Sequence, residues 1–213
     1  SEEKKPHQKK NISVIQIINT YIIVFKNKQF LAYIMLYSFL ICGELCYLTI
    51  IPFFLQSNLK LTSDFIGIYI SSVSLAYIIG TFLASRTIQY IGVNKTILSG
   101  IIVALIGALI LLLLSFLQFL FLSSILLAIG LYMVGSALVW GPSTSGALQL
   151  FDEQKGAASA VRSLVLTSAL GIGGLVGSVL DDFSIKPLAI FLVIMCLLSL
   201  FLYFYLNQKN NNS

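Results

Sequence analysis

The sequence predicts an all-α membrane protein with six membrane-spanning helices. Three observations carry that expectation. Of the 213 residues, 58% are hydrophobic and 10% are charged, whereas a soluble domain carries about 25% charged residues to cover its surface. Six runs each exceed the ~18 mostly apolar residues that a spanning helix needs. The polar residues gather in two tails and in short connections between the runs. A spanning β-strand would need only about ten residues and would alternate polar with apolar, which these runs do not.

In order along the chain, residues 1–29 form a polar tail followed by NISVIQIINTYIIVFKNK. There Ile12, Ile15, Ile18 and Ile22 recur at helical spacing, with Asn11, Gln16, Asn19 and Thr20 between them. That pattern predicts an amphipathic helix lying on the membrane surface. The transmembrane bundle follows over residues 30–206. Its first span, Phe30–Leu55, is roughly 39 Å long at helical rise and contains LYSFLICGELCYLTI, with Glu44 as its one formal charge. After QSNLKLTSD comes the second span, Phe65–Ser85, and after RTIQYIGVN the third, Lys95–Phe116. The third meets the fourth, Gln118–Pro142, almost directly around Ser115–Gln118. Proline lacks an amide hydrogen, so Gly141-Pro142 is expected to end the fourth span. After STSGALQLFDEQK comes the fifth, Gly156–Leu180, and after DDFSIK the sixth, Pro187–Leu206. Residues 207–213 are a polar tail, and the leading Ser predicts a trimmed chain or a part of something longer.

Small residues four apart occur twice, as Gly100, Ala104 and Ala108 in the third span and as Ala169, Gly173 and Gly177 in the fifth. Such rows let helix backbones approach closely. Close packing is the simpler reading and a sliding face the other. Gly171 and Gly174 add the capacity for the fifth span to bend.

Lysine and arginine set the expected orientation. With a cytoplasmic N-terminus, ten of the thirteen fall on the inner side: Lys4, Lys5, Lys9, Lys10, Lys26, Lys28, Arg86, Lys95, Lys155 and Lys209. Lys60 and Lys186 fall outside, and Arg162 lies within the fifth span. Both termini are therefore expected in the cytoplasm. The net charge of +5 reflects this topology rather than a nucleic-acid-binding face.

Enzymatic patterns are missing from the sequence. The single histidine, His7, lies in the tail, and Asp64, Asp152, Asp181 and Asp182 fall in connections. No phosphate-cradling glycine loop is present. Cys42, Cys46 and Cys196 sit in apolar runs without metal-ligand spacing and read as packing residues. A non-enzymatic protein without cofactor or metal is expected.

Glu44 is the residue that most needs a reason. A carboxylate near the bilayer centre costs at least ~2.5 kcal/mol on insertion scales. Tyr37 stands seven residues before it and Tyr47 three after, so the three share roughly one helical face. Either Glu44 is a neutral acid bonded to a neighbouring helix, or it is a substrate-cation or proton site in a wet cavity. Arg162, about two turns into its span, either snorkels to the interface or pairs with Asp152, Glu153 or another bundle. Trp140 and Tyr132 read as packing or interface aromatics, with ligand stacking as the alternative. Tyr33, Tyr69 and Tyr77 add further hydroxyls to the first two spans.

Several stretches resemble a known family. FLAYIMLYSFLICGELCYLTIIPFFLQ is similar to the seventh helix of transporters in the major facilitator superfamily, within the Bcr/CflA (bicyclomycin-resistance) drug-efflux group, with the exit Tyr47, Leu48, Pro52 and Phe53. Gly80, Arg86, Gly92 and Lys95 match the degenerate second copy of that superfamily's cytoplasmic Gly/Arg-rich loop. GPSTSGALQLFDEQKGAASAVRSL resembles the join between helices ten and eleven through Pro142, Ala147, Leu148, Gly156, Ala158, Ser159 and Ala160. Ser143 replaces the usual asparagine, while Arg162 and Glu44 depart from the pattern.

The resemblance covers almost the whole chain. It implies the C-terminal six-helix half of a twelve-helix transporter in a bacterial inner membrane, with the amphipathic segment as the linker between halves. It implies a proton-coupled multidrug or small-molecule exporter working by alternating access. The alternatives are an importer of another solute class, a non-transporting remnant of a decayed gene, and a small homodimeric channel. The implied partners are the lipid bilayer, a small-molecule substrate that is cationic or amphipathic, protons, and a six-helix first half, which in this group usually holds the essential acids. Glu44, Tyr37 and Tyr47 are the candidates for the substrate or proton site. Gly80, Arg86, Gly92, Lys95 and Arg162 are the candidates for a cytoplasmic gate.

Overall fold

A computed structural model describes residues 14–180 and 185–211, with side chains over 18–180 and 185–208. Asn11, Ile12, Asp181 and Asp182 lie outside the described residues. The described residues form seven α-helices: α1 (Val14–Lys26), α2 (Lys28–Asn58), α3 (Ser63–Ile91), α4 (Val93–Phe116), α5 (Leu122–Gln149), α6 (Lys155–Val179) and α7 (Ile185–Asn211). A 3-10 turn at Asp152–Gln154 precedes α6. Six helices, α2 to α7, are long and apolar enough to cross a membrane.

α1 is short and is set off from α2 by Asn27, whose Oδ1 accepts the Phe30 N–H at 2.9 Å. Val24 anchors α1 in a small cluster with Phe30, Ile34, Ala158 and Val161. Ile18, Ile22, Ile23 and Phe25 remain exposed.

The bundle has a centre and two flanks. α2 packs on α5, α6 and α7, and α5 packs on α2, α3 and α4. α3 joins chiefly α5, while α6 joins chiefly α2. The α2–α4 and α5–α7 triplets therefore exchange their middle helices, the pattern of nested three-helix repeats. Of the most apolar stretch of α6 only 17% is buried, and of α3 22%, against 61% of α2 and 56% of α5. The flanking pair thus leaves broad apolar faces uncovered, including Phe65, Ile68, Leu75 and Ile78 on α3.

Two close seams hold the centre. At Gly100 and Gly135, α4 and α5 touch backbone to backbone; a Cβ on Gly100 would stand 2.7 Å from the Gly135 carbonyl oxygen. On α6, a Cβ at Gly173 would overlap the Cys42 carbonyl, and one at Gly177 would lie 2.8 Å from the Thr49 Cβ on α2. Both rows of small residues are thus contact surfaces.

Several helix ends differ from the sequence expectation, among them that of α7, which continues past Leu206 into the expected tail as far as Asn211. Pro142 does not end its helix: α5 continues to Gln149. The Ser143 hydroxyl donates to the Val139 carbonyl at 2.6 Å, next to the carbonyl that the missing proline amide leaves free. α3 runs through Arg86 to Ile91, so Arg86 belongs to its last turns rather than to a loop. α5 begins at Leu122 rather than Gln118, after a turn in which Gln118 takes a positive φ of 56°.

Candidate functional site

α2 brings Glu44 to the middle of the bundle, 16 residues past its first residue. The carboxylate is half-buried and accepts a hydrogen bond from the Ser136 hydroxyl of α5. One helical turn either side of Ser136 stand Tyr132 and Trp140, so one face of α5 carries all three. The Tyr132 hydroxyl donates to the Leu40 carbonyl of α2 at 2.8 Å. The Tyr37 and Trp140 rings lie 6.5 Å apart at 50°, within range for an aromatic pair. Tyr37 also meets α3, its hydroxyl 3.1 Å from that of Tyr77. Tyr37 and Tyr77 lie within electrostatic reach of Glu44 and of Arg162 on α6.

One carboxylate, two joined phenols, an aromatic pair and a guanidinium therefore come from four helices, two central and two flanking. Glu44 and Arg162 have opposite charge, and the only ion pair among the described residues joins Asp152 to Lys155 at 2.9 Å, both exposed. Asp152 is thereby engaged with Lys155 rather than Arg162. Such a site can hold a charged or dipolar solute, or a proton on the carboxyl.

Of the three sequence candidates, Glu44 and Tyr37 share this site. Tyr47 turns into the seam with α3, 1% exposed, and faces Tyr69. Ser136 was not singled out by the sequence, while Tyr77 was named only as one of several hydroxyls in the first two spans. The spacing of Tyr132, Ser136 and Trp140 was the available signal for Ser136. Tyr77 needed the register between α2 and α3.

The gate candidates separate. Gly80 lies inside the α3/α5 contact, where a Cβ would stand 2.8 Å from the Val134 carbonyl oxygen. Arg86 is exposed, with its guanidinium 5.1 Å from the Phe82 ring centre. Gly92 joins α3 to α4 at φ +81°, a region that L side chains rarely adopt, and its N–H donates to the Ile88 carbonyl at 3.0 Å. Gly92 and Lys95 border a cavity of about 470 Å³ beside Tyr33 and Asn94, at the end of the bundle where α2 begins. The Tyr33 hydroxyl donates to Asn94 Oδ1 at 3.3 Å there. Arg162 lies away from that cavity and within electrostatic reach of the Tyr37–Tyr77 pair.

Six spanning helices in nested repeats, with intramembrane charges gathered between four of them, define a multi-pass membrane transporter bundle. The family profile of the Major Facilitator Superfamily matches residues 15–213. The chain belongs to that superfamily, whose members sit in the lipid bilayer and move small molecules. No curated protein matches the sequence.

Proposed function

We propose that this bundle is the second half of a proton-coupled exporter of small, cationic or amphipathic molecules, of the bicyclomycin-resistance kind. The observation that carries the reading is the Glu44 site: a half-buried carboxylate held by Ser136 beside the Tyr37–Trp140 pair. In an apolar span this carboxylate is costly unless occupied, and a proton or a cation is the chemistry that neutralises it. The two occupants compete for one group, and that competition couples export to proton entry. The uncovered faces of α3 and α6 are where a first six-helix bundle docks, so that the two bundles rock about the site. The distribution of Lys and Arg supports a bacterial inner membrane with both termini inside. The Gly92–Lys95 cavity then opens to the cytoplasm as part of the inner gate.

The test is Glu44→Gln in the assembled transporter, which keeps the shape but removes ionisation. Flux of a cationic dye driven by a pH gradient falls by about tenfold or more, a loss on the scale of a removed proton-transfer group. Unchanged flux with an unchanged pH profile would show that Glu44 is only a packed acid.

A further inference from the structure

We propose that the seam between α2 and α3 holds water and carries protons between Glu44 and the end of the bundle formed by Asn58 and Ser63. This rests on the proton role of Glu44 and adds the route. The two helices run in opposite directions, so their tyrosines meet in rungs. Tyr37 meets Tyr77 on one side of Glu44, and Tyr47 meets Tyr69 on the other.

The second rung carries the argument. Tyr47 is 1% exposed and Tyr69 4%. Their hydroxyls approach closely enough to interact, yet neither has a hydrogen-bond partner of good geometry. The buried hydroxyls of Tyr132, Ser38 and Ser199 all donate to carbonyls. Two adjacent phenols without partners in hydrocarbon are costly, and ordered water is what usually completes such groups. Tyr47 lies one turn beyond Glu44 toward Asn58. Tyr69 lies six residues inside the start of α3, roughly 9 Å along the axis, with Asp64 exposed at the mouth. The rung therefore stands between the carboxyl and the bundle end.

Transfer along the rung leaves no ring charged. Each hydroxyl takes a proton from water on one side as it gives its own to water on the other. The groups around Glu44 are Tyr37 from its own helix, Tyr77 from α3, and Ser136 and Tyr132 from α5, with Arg162 of α6 beyond the tyrosine pair. Among the described residues these spans hold no other carboxylate deeper than Asp64. Glu44 is thus the one acid that the route can serve.

Radiolytic hydroxyl-radical labelling tests the water directly, on the chain in lipid nanodiscs. Tyr132, also 1% exposed but bonded to Leu40, is the dry reference. Tyr47 and Tyr69 label at least about fivefold faster than Tyr132 if water lies beside them; equal rates overturn the proposal. In vesicles showing pH-driven flux, the double variant Tyr47→Phe, Tyr69→Phe keeps ring volume and removes the relay. Flux drops about tenfold, as for a lost proton-transfer group, and its slowing in heavy water grows, because proton delivery becomes limiting. Wild-type flux and isotope effect in this variant overturn the route even where Glu44→Gln abolishes coupling. Unchanged coupling in Glu44→Gln overturns the Glu44 reading and the relay with it, while the labelling still reports on the water.

Discussion

Where α5 meets α4, backbone lies on backbone; where α2 meets α3, side chains span the gap. A Cβ on Gly107 would come within 2.6 Å of both the Ala128 carbonyl oxygen and the Tyr132 amide nitrogen. At Gly100, Gly107 and Gly135 the main chains leave no room for a side chain between them. Between α2 and α3 the helices stand apart, and Tyr37, Tyr47, Tyr69 and Tyr77 fill the space with hydroxyls directed at one another. The first seam is dense and chemically inert, with the dispersion contacts that substitute for a hydrophobic driving force inside lipid. The second gives up that density and gains room for titratable groups. α5 belongs to both sides, since one face receives α4 and another gives Ser136 to Glu44. The rigid seam holds the reactive one in register.

The largest effect comes from breaking the dense seam. In Gly135→Val, the new side chain would overlap the Ala104 amide and stand 2.5 Å from the Gly100 carbonyl oxygen. Backbone cannot yield as a flexible side chain does, so stability falls by more than about 3 kcal/mol. Thermal unfolding followed by fluorescence of Trp140, the single tryptophan, reports the loss. Gly67→Ala is the control, because a Cβ there meets nothing within 4 Å; it leaves the midpoint unchanged or raises it slightly. Similar losses in both variants would remove the contrast between the seams.

Tyr132 lies on the border between the two regions and gives a smaller effect. Its backbone is pressed by Gly107 of α4, while its hydroxyl reaches Leu40 on α2. Tyr132→Phe removes only the second contact. The loss is about 1 kcal/mol, typical of one buried hydrogen bond. A drop as deep as that of Gly135→Val would mean that α2 and α5 are held by this bond rather than by packing.

Six spans, a short helix before them and two small-residue rows were legible because composition and period record what lipid demands of a helix. Glu44 was legible for the same reason, since a lone charge in such a run stands out. Pro142 misled because a proline in the sequence reads as a helix end, yet α5 runs on through it to Gln149, with the neighbouring Ser143 bonded to the Val139 carbonyl. Arg86 looked like a loop residue because charge is common in connections, yet helices extend past the hydrocarbon. The convergence of Ser136, Tyr77 and Arg162 was hidden because it depends on which helices become neighbours. Sequence spacing fixes the face of a helix, not the face it meets.

The smallest effect lies in the Tyr37–Tyr77 rung, and it asks whether the open seam contributes to holding the fold at all. The two hydroxyls stand 3.1 Å apart, and phenylalanine at either position keeps the ring while removing one partner. A double-mutant cycle over Tyr37→Phe and Tyr77→Phe isolates the bond from the separate effects on neighbouring groups. Inside a membrane such side-chain bonds average about 0.6 kcal/mol, because the unfolded chain in lipid also finds partners. The coupling energy, read from unfolding midpoints in detergent, is therefore expected near that value, severalfold below the loss in Gly135→Val. A coupling of several kcal/mol would mean that the tyrosine rungs brace the bundle, and α2 and α3 could then not part to admit water. A coupling near the small value leaves the seam free to open around Glu44, as the proposed proton exchange there requires.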